Sequence, residues 1–232
     1  MLVKNWMTKS VVTIDENQSI DEALALLDEY EIRILPVMRG DVLVGMISDR
    51  QLKKALSETR EIELTGGPGG KRPDVVVGSI MSRHPITIPP DFTVEETAEV
   101  LLTHQIQGVP VVADDGKLVG VVTPSDIFEV LILLTGVAKR GIQFGLSLVD
   151  RPGCIREVTD LIRSFGGRVS SILSTDGRAR EGYRQVYIRI YGIDRPSLDQ
   201  LIRLLKESND LLYMIDHQGN RREIFSPESD LT

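Results

Sequence analysis

Apolar positions recur with helical spacing at Ile20, Leu24 and Leu27, and again at Val94, Ala98 and Leu101, so each stretch predicts an amphipathic helix. Each helix opens on a capping box, Ser19-x-x-Glu22 in the first and Thr93-x-x-Glu96 in the second, where side chain and backbone satisfy each other's free groups. Before each helix a short strand is expected, Val11–Ile14 or Ile86–Ile88. After it come two strands rich in β-branched residues, joined by a turn at residues 39–41 or 114–116. A final helix starts near Ser48 or Thr123. A shift of 74 positions places Met7-Thr8 on Met81-Ser82, Thr13-Ile14 on Thr87-Ile88 and Leu35-Pro36-Val37 on Val109-Pro110-Val111. One extra residue in the second turn moves the offset to 75, and Gly45-Met46-Ile47-Ser48 then falls on Gly120-Val121-Val122-Thr123. An internal repeat is one structural unit used twice. Two copies are expected to pair face to face, with ligand sites in the clefts between them.

Beyond Gly141 the pattern changes. Ile142, Phe144, Leu146 and Leu148 alternate with Gln143, Gly145 and Ser147, predicting a half-buried strand. Asp150–Gly153 breaks it. Ile155, Val158, Ile162 and Phe165 follow helical spacing up to Gly166-Gly167, a stop signal. Strands are expected at Val169–Leu173 and Tyr183–Tyr191, then a helix capped by Ser197-x-x-Gln200 and a strand at Leu211–Ile215. This βαββαβ order is that of the ferredoxin-like split βαβ sandwich. The expected fold class is therefore α/β and α+β: two β-α-β-β-α repeats at 1–56 and 75–138, then a ferredoxin-like unit at 141–217. Residues 57–74 contain Gly-Gly-Pro-Gly-Gly at 66–70 and are read as a flexible linker or a lid. The polar tail 218–232 is expected to fray.

Composition narrows the function classes. The 232 residues suffice for two domains, with 41% hydrophobic and 26% charged residues, an ordinary globular balance. A net charge of −7 opposes broad attraction to nucleic acid or anionic lipid. Lys139-Arg140 and Arg221-Arg222 are too short for a nucleic-acid stripe. The single cysteine, Cys154, cannot form an intramolecular disulfide. The N-terminus has no apolar signal core, and the longest apolar run, near Val130–Leu134, is too short for a bilayer. A cytoplasmic location is expected. No Gly-x-Ser-x-Gly, Walker loop or His-Glu-x-x-His is present, so no enzymatic chemistry is indicated. Three scattered histidines without cysteine partners make no transition-metal site.

The doubled unit resembles a pair of CBS domains, a Bateman module, through its Met-Thr/Ser turns, short Thr-Ile strands, Pro-Val strands and Gly-x-x-Ser/Thr strand ends. The C-terminal unit resembles an ACT domain through its first strand, its Asp-Arg-Pro-Gly loop and its element order. Two CBS repeats followed by an ACT domain are together similar to the AcuB-like proteins, named for acetoin utilisation.

The CBS resemblance implies a nucleotide site at Gly120-Val121-Val122-Thr123-Pro124-Ser125-Asp126. Thr123 would present helix N-terminal amides to a phosphate, and Asp126 would accept hydrogen bonds from a ribose diol. Thr87, Ile88, Gly108, Val109 and Pro110 would form the adenine wall, with Arg33 a candidate cation. The same Thr-x-x-Asp is equally a helix cap, with Pro124 at the favoured first position. In the first repeat, Gln51 stands where the pattern has Asp. A second, weaker nucleotide site is implied at Thr13, Ile14, Leu35, Ser48 and Arg50. Asp49 lies about 200° around the helix from Gln51 and is a poor substitute. His84 and His104 are further candidates, and Mg²⁺ can arrive with a nucleotide's phosphates.

The ACT resemblance implies an amino-acid effector at Asp150, Arg151, Pro152 and Gly153. Asp150 either meets an ammonium group or caps the helix, and Cys154 either sits as a reactive thiol or fills space. The resulting expectation is a regulatory sensor of AMP, ADP, ATP or S-adenosylmethionine. Its ACT unit binds an amino acid or mediates dimerisation, the chain forms a homodimer, and a separate protein receives the output. The alternatives are a ligand-free scaffold or an enzyme acting on a nucleotide.

Overall fold

The computed structural model describes residues 1–65, 74–177, 179–208 and 210–225. It divides into two units, Met1–Phe128 and Glu129–Thr232, each built around its own apolar interior.

The first unit contains both repeats. The first repeat comprises β1 (Ile14–Asp15), α1 (Ile20–Glu29), β2 (Ile34–Arg39), β3 (Val42–Ser48) and α2 (Asp49–Thr65). The second comprises α3 (Val77–Ile80), β4 (Ser82–Arg83), α4 (Val94–Thr103), β5 (Val109–Val112), β6 (Leu118–Val122) and α5 (Pro124–Thr135), a helix that runs past the unit boundary. Both capping boxes form. Ser19 Oγ accepts from the Glu22 amide at 3.2 Å while the Glu22 carboxylate accepts from the Ser19 amide at 2.8 Å. The corresponding distances for Thr93 and Glu96 are 3.1 and 2.8 Å. Thr93→Ala is expected to cost about 1 kcal/mol, read as a lower denaturation midpoint of the first unit. Thr93→Ser should restore most of it.

The short leading strands contract. Only Ile14–Asp15 pairs, parallel to β2, and Ile88 makes a single parallel bridge to Val111. Pro89 and Pro90 follow Ile88 and offer the ladder no N–H.

The leading segment of each repeat crosses to the other. β4 pairs antiparallel with β3, Gly45 opposite Arg83 and Met46 opposite Ser82. The reciprocal bridge joins Thr8 to Val121. The Val3 amide donates to Phe92 O at 2.8 Å, and Val77 donates to Gln18 O at 2.8 Å. Val94 donates to Met1 O at 2.7 Å, and Ile20 to Val75 O at 3.1 Å. Each bond is the image of its partner under the 74-residue offset. Accordingly Val77 and Met81 pack with Ile14, Leu35 and Ile47, whereas Val3 packs with Ile88, Val109 and Val122. A Cβ on Gly45 would fall inside the sulfur of Met81, and one on Gly120 inside the sulfur of Met7. Both glycines are therefore required by close approach of the opposite repeat.

Helix α2 continues to Thr65, through the first nine residues of the segment read as linker. Ser57–Thr65 contains no Gly or Pro and is rich in good helix formers. The glycine-rich stretch 66–70, linker or lid, lies outside the described residues.

The second unit contains β7 (Ile142–Val149), α6 (Cys154–Ser164), β8 (Arg168–Thr175), β9 (Tyr183–Tyr191), α7 (Arg195–Ser208), β10 (Asp210–Asp216) and β11 (Arg221–Ile224). The sheet order is β11-β10-β7-β9-β8 with all neighbours antiparallel, and β10-β7-β9-β8 is the ferredoxin-like arrangement expected. One face buries Phe144, Leu146, Val186, Ile188 and Met214 against Val158, Ile162, Leu198 and Leu201.

Two expectations change here. Asp194, not Ser197, opens α7, its carboxylate accepting from the Ser197 amide and hydroxyl at 2.9 Å each, so the helix begins earlier. Residues 221–224 of the expected fraying tail form a strand. The Asp216 carboxylate accepts from the Gln218 and Gly219 amides at 3.0 and 2.9 Å, and Asn220 takes the left-handed conformation at φ 49° that a tight turn needs. On the other face of the sheet, Arg189 is only 3% exposed. It donates to Thr135 O at 2.7 Å and to Gln143 Oε1 at 2.9 Å.

Candidate functional site

Among the described residues, two cavities of the first unit are lined in part by the crossed leading segments. The larger, about 660 Å³, lies at the start of α5. The Thr123 amide and hydroxyl donate to Asp126 Oδ2 at 2.6 and 2.8 Å, so the carboxylate half of the Thr-x-x-Asp cap forms. It uses one carboxylate oxygen and leaves Oδ1 without a protein partner among the described residues. Across the cavity stand Val11, Val12, Ile32, Ile34 and Pro36 of the first repeat. The arrangement therefore offers an apolar slot, a half-used carboxylate and the free amides of a helix start.

Arg33 lines this cavity and reaches Asp49 at 3.4 Å, with Lys53 on the same carboxylate oxygen at 2.9 Å. Arg33 is 75% exposed, so this pair adds little stability. Arg50 also lines the cavity and makes no ion pair among the described residues.

The wall differs from the one expected. Ile88 and Val109 lie in the core at 2% and 0% exposure, and Pro110 is buried beside them. Thr87 is exposed and lines neither cavity, while Gly108 lines the smaller one. Strand crossing places Thr123 and Asp126 opposite the first repeat, so their apolar wall comes from Val11–Val12 and Ile32–Pro36. Nothing in one-dimensional spacing distinguishes a wall from the same repeat from one contributed by its image.

The smaller cavity, about 370 Å³, lies at the start of α2. Ser48 and Arg50 of the expected second site line it, whereas Thr13, Ile14 and Leu35 do not. Ile14 and Leu35 are core residues. Gln51 Oε1 accepts from the Ser48 amide and hydroxyl at 3.0 and 2.8 Å, and its Nε2 donates to Ser82 Oγ at 3.1 Å. Both ends of the amide are thus engaged. His84 lines this cavity and His104 neither.

In the second unit, Asp150, Arg151, Pro152 and Gly153 line an open recess of about 550 Å³ together with Cys154, Arg156 and Arg184. Asp150 does not cap α6; its Oδ1 accepts from Arg184 Nε at 2.8 Å. Gly153 holds the N-cap position at φ 89° without a side-chain cap; the Cys154 amide donates to Arg151 O at 3.2 Å, and the Ile155 and Arg156 amides are left open to a ligand. Arg151 forms a two-pronged pair with Glu157 at 2.7 and 2.6 Å and thereby holds the Glu157 carboxyl below its usual range. Cys154 is half-buried against the core.

Among the described residues there is no group of three or more His, Cys, Asp or Glu placed to hold a metal ion, and no helix long and apolar enough to cross a membrane.

The CBS domain model matches residues 3–58 and 77–133. The chain is 34% identical over 125 residues to the CBS domain-containing protein YhcV of Bacillus subtilis, covering 54% of this chain and 81% of that protein. It is 30% identical over 125 residues to inosine-5'-monophosphate dehydrogenase of Korarchaeum cryptofilum, but spans only 23% of that protein's length. Among solved structures it is similar to the CBS domain pair of protein MJ0100 in complex with 5'-methylthioadenosine and S-adenosyl-L-methionine, with 32% identity and a TM-score of 0.48 over 56% of this chain and 95% of that one. With two matched repeats and a relative covered over most of its length, the chain belongs to the CBS-domain proteins, and its first unit is a tandem CBS pair.

Proposed function

We propose that this protein is a ligand-sensing regulator whose CBS pair takes an adenine nucleotide or adenosyl compound in the larger cavity. The observation that carries this reading is the half-used carboxylate of Asp126 facing an apolar slot. The base packs between Val11–Val12 and Ile32–Ile34, the ribose diol donates to Asp126 Oδ1, and a phosphate meets the Ser125 and Asp126 amides, since Pro124 has no N–H. Mg²⁺, when present, is carried by the nucleotide's phosphates, since the described residues supply no ligand cluster for it.

The second unit is read as ACT-like, supported by its ferredoxin-like strand order and by the uncapped start of α6 beside Asp150. It binds an amino acid there or mediates homodimerisation, and with the CBS pair it gives the AcuB-like arrangement. Ligand binding biases the protein by about 1–3 kcal/mol of coupling, and a partner protein receives the output.

The test is isothermal titration of the full chain with AMP, ADP, ATP and S-adenosylmethionine, repeated on Asp126→Ala. Saturable binding weakened at least about tenfold in the variant is expected, given a lost charge-assisted hydrogen bond. Absence of binding by all four returns Thr123 and Asp126 to a helix cap and leaves the scaffold reading.

A further inference from the structure

The 74-residue offset lets the two cavities be compared position by position. Asp126 of the larger corresponds to Gln51 of the smaller, Glu31 to Gln105, Ser125 to Arg50 and Ser10 to His84. Two carboxylates become amides, and two hydroxyls become a guanidinium and an imidazole. Only Arg33, which corresponds to Gln107, runs the other way. The larger cavity carries three carboxylates, Glu31, Asp49 and Asp126, against Arg33 and Arg50. The smaller carries Arg50, Arg83 and His84, with no carboxylate among its described lining residues.

This difference in charge goes with a difference in hydrogen-bonding capacity. Gln51 has spent its oxygen on Ser48 and its nitrogen on Ser82, so no acceptor remains for a ribose diol. The cations, by contrast, keep unused N–H groups, although Arg83 also feels the Glu16 carboxylate outside the cavity lining. Arg83 Nη2 donates to Gly78 O at 2.8 Å, and its remaining N–H groups form no other hydrogen bond among the described residues. Arg50 forms no ion pair there. Ile34, Arg50 and Gln107 line both cavities, so the two adjoin at Arg50.

We propose that the smaller cavity is a phosphoanion site, not a second nucleoside site. Its occupant is either the terminal phosphates of a nucleotide seated at Asp126, an arm that rests on the function proposed above, or a free inorganic polyphosphate. In both cases Arg83, His84 and Arg50 supply charge-assisted hydrogen bonds, and Arg50 communicates occupancy to the neighbouring cavity.

The experiment titrates the full chain with AMP, ATP and inorganic tripolyphosphate, in wild type, Arg83→Gln, Arg83→Lys and Asp126→Ala. If nucleotide phosphates are the occupant, ATP binds at least about tenfold tighter than AMP, and Arg83→Gln abolishes that preference while AMP affinity is retained. If the free anion is the occupant, tripolyphosphate binds wild type and Asp126→Ala alike and is lost in Arg83→Gln. Arg83→Lys, which keeps the charge, retains binding in either case and separates charge loss from misfolding. Tripolyphosphate binding without any nucleotide binding supports the anion site and sinks the nucleotide reading. Equal ATP and AMP affinities together with no tripolyphosphate binding overturn the proposal, as does an Arg83→Gln variant that behaves as wild type.

Discussion

Phe144→Ala is expected to remove about 3–5 kcal/mol from the second unit. Phe144 is fully buried on β7, the strand flanked by β10 and β9, with Met214 and Ile188 directly opposite it on its two neighbours. Truncation leaves a hole that the sheet cannot close without breaking its registers. Denaturant unfolding followed by circular dichroism measures the loss. The single tryptophan, Trp6, belongs to the first unit, so its fluorescence reports that unit separately. The nucleotide affinity proposed above should be unchanged, because every lining residue of the larger cavity lies within Met1–Phe128. A loss below about 1 kcal/mol would mean a core far more yielding than close packing allows.

The second large effect concerns the crossed segments. Gly120→Val drives a branched side chain into Met7, and overpacking of this kind costs about 1–3 kcal/mol. Combining it with Met7→Ala should recover a substantial part, because the shortened side chain vacates the volume. Such non-additivity is the signature of direct contact. Trp6 fluorescence follows the unfolding. Additive losses in the double variant would refute the packing of Met7 on Gly120, and with it the crossing.

Much of the architecture could be read from spacing because local rules govern it. Ser19 and Glu22, or Thr93 and Glu96, need only three residues between them to form a cap. The alternation at Ile142, Phe144, Leu146 and Leu148 needs only to know which side is apolar. Tertiary partnership is a different kind of information. Val3 and Val77 read as apolar positions at the edge of a repeat, and periodicity does not say which interior receives them. The same gap hides which residues face Asp126: Val11 is expected on a leading strand, but spacing alone does not place it in one cavity with Thr123. The matched pairs Met7 with Met81 and Gly45 with Gly120 carry the missing signal, since a bulky residue and a glycine recurring in both repeats suit mutual close approach. The β11 strand was missed for a local reason. Gly219-Asn220 is a turn signal, and the strand after it is polar because it forms the edge of the sheet beyond β10.

The crossed segments also set an order of events during synthesis. The chain around Val3–Thr8 leaves the ribosome long before Phe92 and Val121, the residues that receive its hydrogen bonds. Until then Val3 and Met7 have no interior to enter, and contacts so distant along the chain are slow to close. A nascent first repeat is thus incomplete however well it folds, since Val77 and Met81 have yet to reach it. Slowed translation across 66–121 would lengthen the time these apolar groups stand unpartnered, which makes the pace of elongation over the second repeat a determinant of yield.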